Sequence, residues 1–321
     1  MSGCILIGGG SGLIGTRLTE ILTQKGYQVR HLGRRPKDGP VKTFAWDVHK
    51  QTIDERAFEG VTDVINLAGA NISDHRWTES YKKELLDSRV GSTKLIVDFL
   101  NNRPHNVKLF VSGSAVGYYG FGNSSRWFRE TDPPGNDFMA QITAQWEAVA
   151  DQSKVKVAKL RTGIVVSTEG GAIEEMARPI KLYVGAPLAS GKQIVSWIHM
   201  EDECGIIVHI IENNLSGAFN LTAPEPASNE EITRMLAKKL RRPLWLPNIP
   251  AFVLKIVLGE MADAVVNGQK VSSEKIIATG YRFKFPTLEA ALQTRNPKPA
   301  TRNQELETRN QQRETRNQKH A

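Results

Sequence analysis

The stretch CILIGGGSGLIG at residues 4–15 constrains the fold of this chain more than any other segment. Its first four residues are apolar and are typical of a short buried strand, whereas residues 13–25 have the apolar spacing of a helix. Glycines between a strand and a helix permit a tight turn whose amides can approach an anionic group closely, at the positive end of the helix. Gly10-x-Gly12-x-x-Gly15 therefore predicts a dinucleotide-binding turn that holds a pyrophosphate. A tight strand–helix turn without a ligand is the alternative.

Predicted strands and helices alternate through the first half of the chain. Further strands are predicted at residues 27–32, 63–67, 107–111 and 155–160, with helices at 82–100 and 137–150. Strands that alternate with helices imply parallel βαβ units. We therefore expect an α/β fold: a Rossmann-like doubly wound parallel sheet, accompanied by a smaller C-terminal α/β domain on the substrate side.

The domain boundaries follow from where this alternation weakens. We expect residues 1–165 to form the nucleotide-binding domain, with residues 195–221 returning to it. Residues 170–192 are glycine-rich. Residues 166–194, together with residues 222–293, are expected to form the substrate-side domain.

Two later helices have N-terminal signals. Asp202 is expected to cap a helix that runs to Asn213. Ser228 and Glu231 match a capping box ahead of a helix at residues 232–240, because each side chain can accept a hydrogen bond from the other residue's backbone N–H.

The last 28 residues differ in kind from the rest of the chain. They repeat TRN every seven positions and contain almost no apolar residue, so we expect residues 294–321 to be a disordered tail. A docking tail for an acidic partner is the alternative. Seven basic and three acidic residues give this tail half of the net charge of +8. The remaining +4 is too dilute to predict a nucleic acid as partner.

Composition also bears on the compartment. Only two cysteines are present, Cys4 and Cys204, which predicts a reducing, cytoplasmic environment. The apolar stretch at residues 249–266 is interrupted by charged residues, so no membrane span is expected, and no membrane is expected as a partner. The sequence leaves the oligomeric state open.

The end of the second predicted strand indicates which dinucleotide binds. An NAD site usually has an acidic residue there to bind the ribose 2′-hydroxyl. This chain instead has Gly33, Arg34 and Arg35, with no acid before Asp38. Two guanidinium groups suit a 2′-phosphate by charge and geometry, so we predict NADP(H) as the cofactor. A solvated basic loop is the alternative.

Several longer motifs resemble one superfamily. GGGSGLIG, NLAGANI (66–72), SGSAVGYYG (112–120) and WIHMED (197–202) are similar to the extended short-chain dehydrogenases/reductases. Within them, RWTESYKKELLDSRVGST (76–93) and QWEA (145–148) resemble the NADP-binding "epimerase family" branch, whose substrates are largely unknown. The segment from LPNIPAFVLKIVLGEM to the end of TLEAAL is similar to the C-terminal domain of that branch. The resemblance covers residues 1–293.

The resemblance implies a set of cofactor-binding residues. It places the pyrophosphate at Gly9, Gly10, Ser11, Gly12, Leu13, Ile14 and the adjoining Gly15, the 2′-phosphate at Gly33 and Arg34, and the rest of the cofactor near Leu67, Ala68, Glu84, Arg89 and Val165. A solvated helix face is the alternative for Glu84 and Arg89. For Leu67 and Val165 the alternative is an ordinary core position.

The acid–base pair of the superfamily is missing. Hydride transfer there uses Tyr-x-x-x-Lys, in which the lysine lowers the tyrosine pKa, but no tyrosine of this chain has a lysine four residues later. The resemblance implies that this departure is typical of the branch. Ser114, Tyr118 and Tyr119 remain as candidate catalytic residues after the predicted strand at 107–111. A packed loop with ordinary hydrogen bonds is the alternative.

Other polar residues are weaker candidates. His199 lies between a strand and a helix and is expected to make a structural hydrogen bond. Lys159 is a poor substitute for the missing lysine, because nothing in the strand alternation turns it toward the cofactor. No His/Cys spacing predicts a metal site.

Two hypotheses of function remain. The first is an NADP(H)-dependent oxidoreductase or epimerase-like enzyme that acts on a small polar substrate of unknown identity. The second is an NADP(H)-binding regulatory or sensor protein without turnover. The missing tyrosine–lysine pair argues against a conventional nucleotide-sugar epimerase.

Overall fold

The computed structural model describes residues 3–122, 126–167 and 170–293. The predicted tail at 294–321 lies outside them. The strands are β1 Cys4–Gly8, β2 Gln28–Gly33, β3 Lys42–Asp47, β4 Thr52–Ile53, β5 Val61–Asn66, β6 Leu109–Ala115, β7 Trp127–Phe128, β8 Lys156–Thr162, β9 Ile164–Val166, β10 Ile194–Val195, β11 Trp197–His199, β12 Gly217–Leu221, β13 Ala227–Ser228 and β14 Lys270–Val271.

The helices connect and cover these strands. They are α1 Leu13–Gln24, α2 Glu79–Asn102, α3 Phe138–Ala150, α4 Ala172–Lys181, α5 Met200–Glu212, α6 Asn229–Leu240, α7 Ala251–Leu258, α8 Ala262–Val266, α9 Glu274–Ala278 and α10 Leu288–Gln293, with 3₁₀ turns at Glu55–Phe58, Val116–Tyr119 and Gly259–Met261. No helix among the described ranges is long and apolar enough to cross a membrane.

Eight strands form the main sheet, in the order β12-β8-β6-β5-β1-β2-β3-β4. All neighbours are parallel except β3 and β4. The chain runs outward from β1 to β4, then returns to β5 on the other side of β1 and continues to β12. This reversal is the switch point of a doubly wound fold, so the predicted fold class is confirmed.

The sheet is buried on both faces, which explains its apolar strands. Ile5 and Ile7 belong to a core cluster that includes residues of α1 and α5, whereas Leu6 belongs to a second cluster with residues of α2. Every residue of β1 is buried. Two buried faces require near-continuous apolar strands, and the sequence has them.

The structure corrects several predicted boundaries. Helix α2 begins at Glu79 rather than at residue 82, because the Thr78 side chain accepts a hydrogen bond from the Tyr81 N–H and caps the helix. Strand β6 continues to Ala115, four residues past its predicted end. Strands β3 and β4 were not predicted, although Phe44 and Trp46 alternate with more exposed residues along β3.

The predicted cap of α5 was wrong. His199, not Asp202, is the N-cap, and its Nδ1 accepts a hydrogen bond from the Glu201 N–H at 3.1 Å. The buried Asp202 carboxylate instead accepts hydrogen bonds from the backbone N–H groups of Lys284 and Phe285, at 2.8 and 2.9 Å. It thereby fixes the C-terminal segment to α5.

The predicted capping box of α6 is confirmed. Ser228 Oγ accepts a hydrogen bond from the Glu231 N–H, and the Glu231 carboxylate accepts one from the Ser228 N–H at 2.7 Å. Helix α6 packs with α4 and α10 around an apolar cluster that includes Ile173 and Ile232. This cluster is separate from the two cores of the sheet.

Candidate functional site

The switch point opens into a cavity of about 870 Å³. Ligands of doubly wound sheets bind in the crevice at this point, outside the carboxyl ends of the strands. Eight predicted cofactor residues line the cavity: Gly9, Ser11, Gly12, Gly33, Arg34, Leu67, Ala68 and Glu84.

Gly9 begins the turn after β1 and needs to be glycine for two reasons. Its φ of +79° lies in the region that L-residues with side chains avoid. A Cβ there would also lie 2.8 Å from the backbone of Leu67 and Ala68. The turn therefore lies directly against the segment that follows β5.

Gly10 and Gly15 also lack room for a side chain. A Cβ at Gly10 would lie 2.4 Å from the His31 ring, and one at Gly15 would lie 2.3 Å from the Gly9 carbonyl oxygen. Gly12 donates its N–H to the Gly9 carbonyl at 3.0 Å. The close approach of the glycines to their neighbours fixes the path of this loop.

The N-terminus of α1 faces the turn without a side-chain cap. Gly12 is the N-cap, and the first turn contains no acidic residue. Ser11 and Gly12 are exposed and line the cavity. The first amides of a helix have no intrahelical partner, so this end of α1 offers N–H groups and a positive dipole to an anion. Leu13 and Ile14 belong to the same helix turn but pack against the core.

Arg34 and Arg35 follow β2 but differ in position. Arg34 lines the cavity, whereas Arg35 does not. Both are exposed, and neither forms an ion pair with a described residue. Among the residues that line the cavity, Arg34 is the only arginine or lysine.

The far wall of the cavity comes from elements that the sequence analysis missed. Strand β3, strand β4 and their connecting turn contribute Ala45, Trp46, Asp47, Val48, His49, Thr52, Ile53 and Asp54. The signal that could have found this wall is the alternation of Phe44 and Trp46 with more polar residues, which has the period of a strand.

Two carboxylates on this wall are held ionised by local partners. Hydrogen bonds from the N–H groups of Lys50 and His49 lower the pKa of Asp47. The guanidinium of Arg56 binds Asp54 through two hydrogen bonds, at 2.9 and 2.7 Å, and lowers the pKa of that carboxyl. Because both charges have donors of their own, they need no ligand to neutralise them.

Asn66 fixes the segment at the end of β5. It is fully buried, and its Oδ1 accepts a hydrogen bond from the Ala68 N–H at 3.2 Å. Its Nδ2 donates to the hydroxyls of Ser92 and Thr93 on α2, each at 3.1 Å. Leu67 and Ala68 are therefore held in place at the cavity edge.

Arg89 supports the next part of this segment. Its guanidinium donates to the carbonyl oxygens of Ala70 and Leu85, at 2.9 and 3.1 Å, and lies 5.7 Å from the Trp146 ring centroid. Burial lowers the pKa of Arg89 to about 10, so the group stays charged at neutral pH. Within the described ranges it has no carboxylate partner and does not line the cavity.

Val165 lies apart from the other predicted cofactor residues. It is in β9, paired with Ile198 of β11, and does not line the cavity. A Cβ at Gly171 would lie 3.4 Å from the Leu13 side chain and 3.8 Å from the Val165 carbonyl oxygen. Val165 is therefore near the start of α1, beyond the glycine turn.

Ser114 is part of a buried ionic network. Its hydroxyl donates to Glu147 Oε1 at 2.6 Å, and the same carboxylate receives two hydrogen bonds from Arg161, at 2.8 and 2.9 Å. Ser114, Glu147 and Arg161 are each less than 6% exposed. The hydroxyl thus already has a strong acceptor inside the protein.

Tyr119 extends the same network. Its hydroxyl donates to Asn220 Oδ1 at 2.6 Å and accepts from Arg161 at 2.9 Å. Burial raises the pKa of Tyr119 to about 12, although Arg161 and Asn220 act in the opposite direction. The phenol is therefore neutral near pH 7.

Tyr118 differs from its neighbour. Its ring stacks on Arg161, with 3.5 Å between the guanidinium carbon and the ring centroid, and the residue is half-buried. Its hydroxyl makes no hydrogen bond with any described residue. None of the three candidate catalytic residues lines the cavity. Of the three, Tyr118 alone keeps a hydroxyl without a protein partner in the described ranges.

Helix α3 contains neither a tyrosine nor a lysine. The face of α3 toward Ser114 and the turn at Val116–Tyr119 carries Met139, Thr143 and Glu147, four residues apart. Met139 and Thr143 are buried, and the Thr143 hydroxyl donates to the Met139 carbonyl oxygen at 2.7 Å. Neither side chain can exchange a proton near neutral pH.

The weaker candidates have structural partners. His199 caps α5, lies 3.9 Å from the Phe285 ring, and has its pKa lowered by burial. Lys159 pairs with Asp151 at 2.8 Å. No cluster of three His, Cys, Asp or Glu side chains suited to a metal ion is found in the part of the chain that the structure describes.

A doubly wound sheet with a glycine turn at its switch point defines the class of nucleotide-binding α/β proteins. Residues 5–222 match the model of the NAD dependent epimerase/dehydratase family, and residues 249–294 match a domain of unknown function, DUF1731. The chain belongs to the NAD dependent epimerase/dehydratase family.

Several relatives align with nearly the whole chain. The mouse epimerase family protein SDR39U1 is 35% identical over 296 residues, which are 90% of this chain and 98% of that protein. Epimerase family protein YfhF of Bacillus subtilis is 32% identical over 90% of this chain and 96% of its own length. The crystal structure of human SDR39U1 (isoform2) with NADPH is 34% identical, has a TM-score of 0.80, and covers 90% of this chain and 97% of that chain.

Proposed function

We propose that this chain binds NADP(H) in the cavity at the switch point and uses it as an oxidoreductase or epimerase-like enzyme on a small polar substrate. The observation that carries the proposal is the turn from Gly9 to Gly12. Side chains are excluded by contacts of 2.3–2.8 Å at Gly9 and Gly10 in the turn and at Gly15 in the first turn of α1, and the N-terminus of α1 has no side-chain cap. These features fit a pyrophosphate held by backbone amides.

The cavity also fits the remaining parts of the cofactor. Arg34, which faces no carboxylate among the described residues, is the group suited to the 2′-phosphate, and Arg35 adds charge beside it. Leu67 and Ala68 would flank the cofactor opposite the glycine turn. The human relative that was crystallised with NADPH supports this choice of dinucleotide.

The bound cofactor would supply or accept a hydride. The chain would then have to provide a proton at the substrate oxygen, and Tyr118 is the candidate because its hydroxyl has no protein partner in the described ranges. Ser114 and Tyr119 would act as positioning residues, since their hydroxyls are bound to Glu147 and Asn220. Arg161 contacts both tyrosines and would keep them in place.

The cofactor choice is tested with Arg34→Ala combined with Arg35→Ala. NADPH and NADH binding are measured by nicotinamide fluorescence, with Lys37→Ala as a matched control from the same loop outside the cavity. We expect the double variant to weaken NADPH binding at least tenfold more than NADH binding. Equal losses for the two dinucleotides would contradict the 2′-phosphate site.

A non-catalytic NADP(H) sensor is the second candidate, and the α3 face favours it. Met139 and Thr143 cannot replace an acid–base pair. The two functions separate when the protein is loaded with NADPH and absorbance at 340 nm is followed with panels of carbonyl compounds and nucleotide sugars. Oxidation that is lost in Tyr118→Phe supports the enzyme. Binding without turnover across the panel supports the sensor.

We also propose a reducing, cytoplasm-like compartment. Cys4 and Cys204 are both free and buried, and burial raises the pKa of each thiol, which keeps both unreactive. Cell fractionation of the full-length chain tests this location, and recovery with an oxidising compartment would contradict it.

A further inference from the structure

Exposed apolar side chains are concentrated in one part of the molecule. Ten large apolar side chains are exposed among the described residues, and seven of them lie at residues 182–184 and 245–257. We call these seven the apolar surface: Leu182, Tyr183, Val184, Trp245, Phe252, Ile256 and Val257. Their exposed fractions run from 47% for Tyr183 to 72% for Leu182. A concentration of this kind marks an interaction site.

The two segments lie side by side. Trp245 Nε1 donates to the Tyr183 carbonyl oxygen at 2.8 Å. The Ile249 N–H donates to the Pro187 carbonyl at 2.9 Å, and the Ala189 N–H donates to the Ile249 carbonyl at 2.8 Å. Helix α7 starts two residues after Ile249, so it continues directly from this pairing.

Little of helix α7 is buried by the rest of the described structure. Its sequence is AFVLKIVL, yet Leu254 is its only buried residue. Phe252 and Ile256 are four residues apart, so they share one helix face, and they are 65% and 71% exposed. An apolar helix with such a face needs something to cover it.

The chain around these two segments is rich in cations. Residues 178–192 and 238–258 contain eight Lys and Arg residues and no Asp or Glu, and the nearest acidic residues along the chain are Glu175 and Glu260. Three of the eight form ion pairs with acids outside the segments, namely Arg178, Lys181 and Lys255. The others make no ion pair with any described residue: Lys192, Lys238, Lys239, Arg241 and Arg242. Arg242 lies 4.3 Å from the Tyr183 ring centroid and so adjoins the apolar surface.

We propose that the apolar surface docks on the face of a lipid bilayer that contains anionic lipids. Tryptophan and tyrosine suit the bilayer interface because each has an apolar ring and a polar group, and the neighbouring cations would bind anionic headgroups. A second copy of this chain is a poorer occupant. A symmetric dimer contact would bring two sets of unpaired cations together.

This proposal departs from the expectation, formed on the sequence, that no membrane is a partner. That expectation rested on charged residues that interrupt the apolar stretch at 249–266 and prevent it from spanning a bilayer. Contact in the plane of the interface requires no spanning segment. It requires apolar side chains on one surface with cations nearby, and here Arg242 lies against Tyr183 of the apolar surface.

The test is cosedimentation of the full-length chain with vesicles. One set contains phosphatidylcholine and phosphatidylglycerol at 70:30, and the other contains phosphatidylcholine alone. We expect binding to the anionic vesicles that weakens as salt is raised. Trp245→Ser with Phe252→Ser and Ile256→Ser should lower the bound fraction at least tenfold. Trp127→Ser and Ile277→Ser, which remove exposed apolar side chains elsewhere, should leave it unchanged.

A second variant keeps the test decisive if the apolar variant misfolds. Lys238→Gln with Arg241→Gln changes only exposed side chains and should weaken binding to anionic vesicles by roughly 25-fold, at about fivefold for each cation. The basic tail is intact in every variant, so binding through the tail alone would leave both variants unaffected and would overturn the proposal. It would also be overturned by absence of vesicle binding, or by a dimer that the apolar substitutions dissociate while vesicle binding persists.

Discussion

Glu203 on α5 should make the stability of this protein fall as pH rises. The side chain is fully buried, its Oε1 accepts a hydrogen bond from the Thr162 hydroxyl at 2.8 Å, and its Oε2 has no partner among the described residues. Burial raises the pKa of Glu203 from 4.5 to about 8. The carboxyl is therefore protonated in the folded protein at neutral pH.

The sign and size of the effect follow from linkage. Above pH 4.5 the unfolded chain releases this proton while the folded protein keeps it, so each pH unit lowers the free energy of unfolding by about 1.4 kcal/mol. The stabilisation is fully present below pH 4.5 and is lost by about pH 8. At pH 7 the loss amounts to about 3 kcal/mol.

Glu203→Gln removes the titration and retains an acceptor for Thr162. We expect the stability of the variant, relative to the wild type, to rise by about 3 to 4 kcal/mol between pH 5 and pH 8. Urea unfolding at four pH values measures this difference. A difference that stays constant over that range would refute the reasoning.

Glu201 on the same helix provides the matched control. Burial raises its pKa, but the hydrogen bond and charge of Arg17 at 2.6 Å outweigh burial, so the pKa of Glu201 is lowered overall. Its contribution to stability is present above the unfolded pKa and is lost as pH falls. Glu201→Gln should therefore cost stability at pH 7 and cost less at low pH, the opposite trend to Glu203→Gln.

Three further predictions concern the network, the glycine turn and the C-terminal anchor. Glu147→Gln should lower the free energy of unfolding by about 3–5 kcal/mol, because it leaves the Arg161 charge buried without a counterion. Ser114→Ala should cost only about 1 kcal/mol, and urea unfolding that gives equal losses would contradict this ranking. Gly10→Ala would place a Cβ 2.4 Å from the His31 ring, so it should weaken NADPH binding in fluorescence titrations far more than Gly122→Ala, which lies outside the cavity and whose Cβ would meet no atom within 4 Å. Asp202→Ala removes the acceptor of two backbone N–H groups and should cost about 2–4 kcal/mol. Hydrogen exchange at Lys284 and Phe285 should then accelerate, and unchanged protection at those amides would show that another group anchors the segment.

Much of the fold could be predicted because it is encoded locally. The apolar run of β1, the glycine turn and the periodicity of α1 are all contained within 25 residues of sequence. The capping box at Ser228 is local in the same way. The glycine turn was therefore assigned to the correct elements from sequence alone.

The parts that were missed depend on contacts between distant residues. Strands β3 and β4, which form one wall of the cavity, are short and mixed in polarity. They lie at the cavity only because β3 pairs with β2 and β4 pairs with β3. The predicted cap of α5 was wrong because the Asp202 carboxylate accepts hydrogen bonds from the N–H groups of Lys284 and Phe285, which are more than 80 residues away in the sequence. The spacing of residues within a short segment carries no information about partners so far away in the sequence.

The sequence by itself determined the doubly wound fold, the place of the glycine turn and the absence of a tyrosine–lysine pair, because each is a matter of residue type at fixed spacing. Only the tertiary structure decided how the polar groups are used. It showed that the hydroxyls of Ser114 and Tyr119 are bound by Glu147 and Asn220, which come from other elements. It also showed that Phe252, Ile256 and Val257 of α7 stay exposed. Whether a side chain is buried, paired or free is set by what packs against it, and that is fixed only when the chain has folded.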